Sequence, residues 1–84
     1  MEILAAKVRH YFSAIGVASV SIIDSLAAGD LIHIKGHITD FDQTIDSIQI
    51  NKKEVPSAEK GEIAGIKVKD YLRKNDLIYR IENN

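Results

Sequence analysis

The sequence predicts an all-β fold, a six-stranded antiparallel β-barrel forming one domain over residues 1–84. Short runs alternate apolar and polar residues with the period of two that a half-buried strand requires. Turn residues punctuate these runs at short spacing. No long helical segment separates them, which argues against the strand–helix alternation of a parallel sheet. Closure into a barrel removes the edges that so small a sheet would otherwise expose.

Ile3 to Phe12 is the first expected strand, with Ala6, Val8, His10 and Phe12 on one face and Lys7, Arg9 and Tyr11 on the other. Leu4, Val8 and Tyr11 also stand at helical spacing. No capping residue precedes them, however, and the chain downstream offers only strands as partners. Ser13 to Gly16 makes a corner, after which Val17 to Ile23 returns as a hairpin partner, alternating Ala18, Val20 and Ile22 with Ser19 and Ser21.

The stretch Gly29 to Ile50 organises the rest. Within it, Leu31–Ile38 places Ile32 and Ile34 on one face and His33, Lys35 and His37 on the other. Gly36 then turns a missing side chain inward, which predicts a bend or a close approach of another group. A strand over Phe41–Ile50 follows a polar corner at Thr39–Asp40. Ile45 and Ile48 lie three apart in it, so burying both requires a bulge near Asp46–Ser47. Asn51 to Lys60 reads as a loop around Pro56, and Glu62–Val68 and Leu77–Glu82 complete the set. Single helical turns fit Val55–Lys60 and Val68–Lys74.

One turn device recurs three times, as Ala28-Gly29-Asp30-Leu31, Lys60-Gly61-Glu62-Ile63 and Lys74-Asn75-Asp76-Leu77. Each sets Gly or Asn, the residues most tolerant of positive φ, before an acid and an apolar residue. The expected core is Val8, Val20, Ile22, Ile32, Ile34, Ile45, Ile48, Ile66 and Ile81.

Composition narrows the function classes. The 84 residues are 45% hydrophobic and 27% charged, with a net charge of −1, so no bulk field draws the chain to nucleic acid or to an anionic membrane; no DNA partner is expected, and any such binding needs a local patch. There is no cysteine, which removes disulfides and thiolate metal sites and fits a reducing compartment. The N-terminal run is broken by Lys7 and Arg9 and is no signal peptide, so the expected location is cytoplasmic.

The Gly29-Asp30 turn, Gly36, the Gln43…Ser47-Ile48 strand and the Ala58-x-x-Gly61…Gly65-Ile66 segment occur in an order and spacing that point to a family. From about Ala6 to Ile81 the chain resembles the second, β-barrel domain of translation GTPases such as elongation factor Tu and initiation factor two. Small stand-alone translation-factor-like proteins look much the same, as does the barrel appended to collagenase-like peptidases of bacteria and archaea. The resemblance implies Greek-key strand order. It also implies a non-catalytic binding module contacting tRNA, the ribosome or a protein partner. The alternative is an accessory subunit or detached barrel domain of an enzyme such as a collagenase-like peptidase.

Catalysis is not expected. There is no G-x-x-x-x-G-K-[ST] phosphate loop, and the five glycines are scattered through turns and strands. His33 and His37 are separated by roughly 13 Å of strand, too far to share one metal ion. Asp40, Asp42 and Asp46 lack the glycine and terminal glutamate of a calcium loop. No catalytic residue, metal or cofactor is assigned, and no hydrolysis of GTP, ATP, peptides or esters is expected. Tyr71, near Lys67, Lys69, Arg73 and Lys74, either covers core or offers a stacking surface. The candidate binding residues are Lys7, Arg9, His33, Lys35 and His37, which form one cationic face if their two strands lie close together.

Overall fold

The computed structural model describes residues 1–82, which form ten β-strands and no helix. β1 (Glu2–Phe12) pairs antiparallel with β2 (Val17–Ile22) on one side and with β10 (Leu77–Ile81) on the other. Beyond β10 come β4 (Leu31–Lys35) and β5 (Asp40–Thr44); beyond β2 come β9 (Ile63–Lys67), β6 (Ile48–Ile50) and β7 (Lys53–Val55). A two-stranded ladder of β3 (Leu26–Ala27) and β8 (Ser57–Ala58) stands apart.

The all-β, antiparallel expectation holds, whereas the closed six-stranded barrel does not. The eight-stranded sheet runs open from β5 to β7. The cause lies in the stretch expected to be one strand over Phe41–Ile50. It is two strands, broken at residues 45–47, where the chain leaves β4 and crosses to β9. Ile45 still bonds to the turn beside β4, its N–H donating to Asp30 O at 2.9 Å and its carbonyl accepting from Gly29 N at 2.8 Å. Three residues span the gap, so the sheet must curl until its two halves nearly meet. The seam is clipped by a side chain instead of a ladder. The Gln43 amide donates to Lys67 O at 3.0 Å and accepts from Lys69 N at 2.9 Å. An amide carries the same donor and acceptor as a backbone unit and reaches farther.

The break also answers the spacing of Ile45 and Ile48. Both are buried, as expected, through a full interruption of the strand in place of a bulge. Real bulges sit in β1. Its register shifts between Leu4 and Ala6 against β10, and between Val8 and His10 against β2. Each extra residue reverses the alternation. Ala5 and Ala6 are therefore both buried, and after Val8 the faces exchange. Tyr11 packs against the core while His10 and Phe12 turn out, the opposite of the strict alternation expected.

Eight of the nine expected core residues lie in one buried cluster; the exception is half-buried Ile81, whose place in β10 is taken by Ile78. Leu26, Leu72, Val68 and five alanines complete the cluster, the alanines letting the curled strands approach closely. The segment expected as a loop around Pro56 instead holds β7 and β8, and neither expected helical turn forms. β6 and β7 are joined through Asn51 and Lys52, with φ of 53° and 66°, the mirror-image turn that suits strand twist.

The recurrent turn is structural in all three places. Gly29, Gly61 and Asn75 have φ of 93°, 92° and 76°. The acid after each donates its N–H to the carbonyl three residues back, at 3.1, 3.0 and 3.0 Å for Asp30, Glu62 and Asp76. Its carboxylate accepts from that same residue's N–H: Ala27 at 2.9 Å, Glu59 at 2.7 Å and Arg73 at 2.9 Å. Each turn is thus closed twice and feeds β4, β9 or β10. Asp76 is buried, and its carboxylate fills the space where Gly36 lacks a side chain; a Cβ on Gly36 would stand 1.9 Å from its Oδ1.

Candidate functional site

The sheet order decides what becomes of the expected cationic face. β10 lies between β1 and β4, so the strands carrying Lys7 and Lys35 are second neighbours. Register places Leu77 between those two lysines in one outward row, which sets their Cα atoms about 9.5 Å apart. Both are exposed. Lys35 faces Asp40 across β4 and β5.

His33 belongs to a different arrangement. Its Nδ1 lies 2.8 Å from Glu2 Oε2 and its Nε2 lies 2.5 Å from Asp40 Oδ1. The hydrogen bond to Asp40, opposed by partial burial and then reinforced by Glu2, raises the imidazole above its ordinary value of 6.5. The same bond lowers the Asp40 carboxyl. A cation held between two carboxylates attracts no anion, so His33 leaves the cationic set. His37 lies beyond the end of β4, exposed, and not on the strand face expected.

Lys7 and Arg9 stay together and gain a third cation. The turn before β10 docks on β1, with Asn75 N donating to Val8 O and Val8 N to Asp76 O, both at 2.9 Å. Lys74 thereby joins Lys7 and Arg9 around a cleft of about 290 Å³ that no carboxylate lines. The positive φ of Asn75 brings Lys74 there; the repeated turn was legible, but not its neighbour on β1.

Tyr71 is 58% exposed and does not cover core. Its ring packs on Tyr11 at 4.7 Å between centroids, and the Arg73 guanidinium lies 5.0 Å over it. Arg73 Nη1 also donates to the Thr39 hydroxyl at 3.1 Å. Asp40 and Asp42 are exposed residues of β5 paired with Lys35 and His33, Asp40 being engaged by the His33 ring, and Asp46 is exposed in the break after β5. Among the described residues, no group of three or more His, Cys, Asp or Glu is placed to hold a metal ion. No helix there is long and apolar enough to cross a membrane.

A second surface went unnoticed in the sequence. The outward positions of β2, β9 and β6 are Val17, Ser19, Ser21, Ile63, Gly65, Lys67 and Gln49, and register aligns Ser19, Gly65 and Gln49 across the three strands. Exposed Phe12, Ile15 and Ile63, at 46, 64 and 49%, surround two shallow hollows of about 380 and 270 Å³. The hollows share Val17, Gln49 and Gly65. Their charged lining is Lys52 and Lys67 alone.

Comparison with known proteins finds the chain similar to parts of peptidases. No protein-family model matches it. It is 32% identical over 82 residues to an uncharacterized protease of Methanocaldococcus jannaschii. The match takes in 96% of this chain but only 20% of the protease. Two crystal structures of the C-terminal domain of a Geobacillus thermoleovorans protein described as a U32 peptidase superpose with a TM-score of 0.87. They are 26 and 28% identical to this chain, cover 92 and 96% of it, and are themselves covered over 98 and 93%. Nothing here points to a translation GTPase. That expectation is corrected: the chain superposes on nearly all of the C-terminal domain of a U32 peptidase. The tRNA and ribosome contacts that it implied lose their support with it.

Proposed function

We propose that this chain is a non-catalytic β-domain of U32-type, collagenase-like peptidases, acting as a detached domain or subunit beside a separate catalytic part. The observation that supports this most is the mismatch of lengths. Nearly all of this chain aligns with a protease of which it spans a fifth, and nearly all of it superposes on an isolated C-terminal domain of a peptidase. Chemistry in the rest of such a protein leaves this domain to position, recruit or stabilise. The test is a chimera in which this chain replaces the matched fifth of the M. jannaschii protease. The expected result is a folded single species that hydrolyses what the native protease hydrolyses, while deletion of that fifth weakens or abolishes the activity. An unfolded chimera would overturn the reading.

The carboxylate-free cleft of Lys7, Arg9 and Lys74 favours a second, narrower reading in which the domain also contacts an anionic group. Binding of a short RNA should then fall with salt, because phosphate contacts release counterions. It should weaken in Lys7→Glu/Arg9→Glu and survive in Lys35→Glu, since Lys35 lies across β10 beside Asp40. Equal affinity in all three proteins would remove the cleft.

A further inference from the structure

We propose that the outward face of β2, β9 and β6 docks a second folded protein domain, one presenting an apolar protrusion ringed by carboxylates. In the longer relatives that domain is the remainder of the peptidase chain. The inference rests on the function proposed above and adds the surface through which it operates.

Three observations carry it. The first is apolar exposure in one place: Phe12, Ile15 and Ile63 stand around hollows floored by Val17, Ser19 and Gly65. Large apolar groups gathered on one side of a small domain mark a surface meant to be covered. The second is Gly65 itself. Its backbone needs no positive φ, and an added Cβ would meet only Val17 Cγ1 at 3.4 Å and Gln49 O at 3.9 Å, ordinary contacts. Glycine inside a strand weakens it, and nothing in the fold requires one here. Its effect is to keep the groove open.

The third observation is charge. Twelve of the 84 residues are acidic, yet none lines either hollow, and the two lining cations, Lys52 and Lys67, are unengaged by any carboxylate among the described residues. Two copies of the chain meeting through this face would set lysines against lysines. A carboxylate-bearing partner complements it. The relatives supply such an occupant, because four-fifths of the M. jannaschii protease lies outside the match and is carried in the same chain.

The chain has no cysteine, so single-cysteine variants report accessibility cleanly. Phe12→Cys, Ile63→Cys and, as a control outside both hollows, Ile38→Cys (68% exposed) are labelled with a maleimide in the isolated chain and in the chimera, and read by peptide mass. Labelling at positions 12 and 63 should slow roughly tenfold or more in the chimera, as for groups reached only by local opening, and position 38 should be unchanged. Lys52→Glu/Lys67→Glu should restore the labelling. An active chimera with equal labelling at 12 and 63 in both contexts overturns the docking face and leaves the proposed function standing. A chimera that does not fold overturns both. Sedimentation of the isolated chain at twice its mass, reversed by Phe12→Glu, overturns the choice of occupant in favour of a second copy.

Discussion

On the β10–β4–β5 side of the sheet, charges are answered within the molecule: Glu2 and Asp40 hold His33, Asp40 faces Lys35, and Arg80 nearby is held by Asp24 and Glu82. On the β2–β9–β6 side there is no such pairing among the described residues. Small residues floor a groove, apolar side chains surround it, and among the described residues the charges lining it are Lys52 and Lys67. The two sides belong to one curled sheet with one core, so the difference is not a demand of folding. The first side spends its polar groups on stability, and the second leaves its groups free for another molecule.

Two glycines, Gly36 just past the end of β4 and Gly65 inside β9, make the sharpest contrast. At Gly36 the missing side chain is replaced by the buried carboxylate of Asp76, which also closes the turn into β10. Gly36→Val should therefore destabilise by about 3 kcal/mol, through overpacking and loss of that turn, read as a drop in the urea midpoint. A small effect would show that Asp76 moves aside freely. Gln43→Ala removes the clip across the seam and should cost about 1–2 kcal/mol for its two hydrogen bonds. No change there would mean that the crossing at residues 45–47 alone holds the seam.

Gly65→Ala should be neutral or stabilising by up to about 1 kcal/mol in the isolated chain. A loss of stability would return Gly65 to a structural role and blunt the contrast between the two faces.

The smallest expected effect concerns the His33 clamp. Its folded pKa is raised above 6.5, so its stabilisation is fully present below 6.5 and is lost as the pH rises through the folded value. The Asp40 pKa is lowered from 3.8, so that half is present above 3.8 and fades as the pH falls through the folded value. Wild type should exceed His33→Gln in melting temperature by more at pH 5.5 than at pH 8.5. A difference that does not change with pH removes the clamp.

Much of the fold was legible because it rests on local chemistry. The repeated Gly/Asn-acid turns formed with the expected positive φ, and alternation located most of the large core residues but missed Leu26, Leu72 and Ile78. The misreadings trace to events that alternation does not record. One extra residue at Arg9 turned Phe12 outward and Tyr11 inward, and so hid the groove. Asn51-Lys52 made a two-residue hairpin turn without the glycine that would have announced it. The sequence spacing of Ile45 and Ile48 signalled an irregularity, but not that the chain changes sides of the sheet there. The cationic candidates were read from single strands, and sheet order then inserted β10 between them while Glu2 and Asp40 took up His33.

The central claim, that the chain recognises and does not cleave, is tested most directly by hydrolysis of gelatin and short peptides. The isolated chain and the protease chimera are assayed side by side after identical purification. The account predicts no turnover by the isolated chain and activity in the chimera alone. Turnover by the isolated chain that survives repurification and is abolished by one substitution in a folded variant would contradict it.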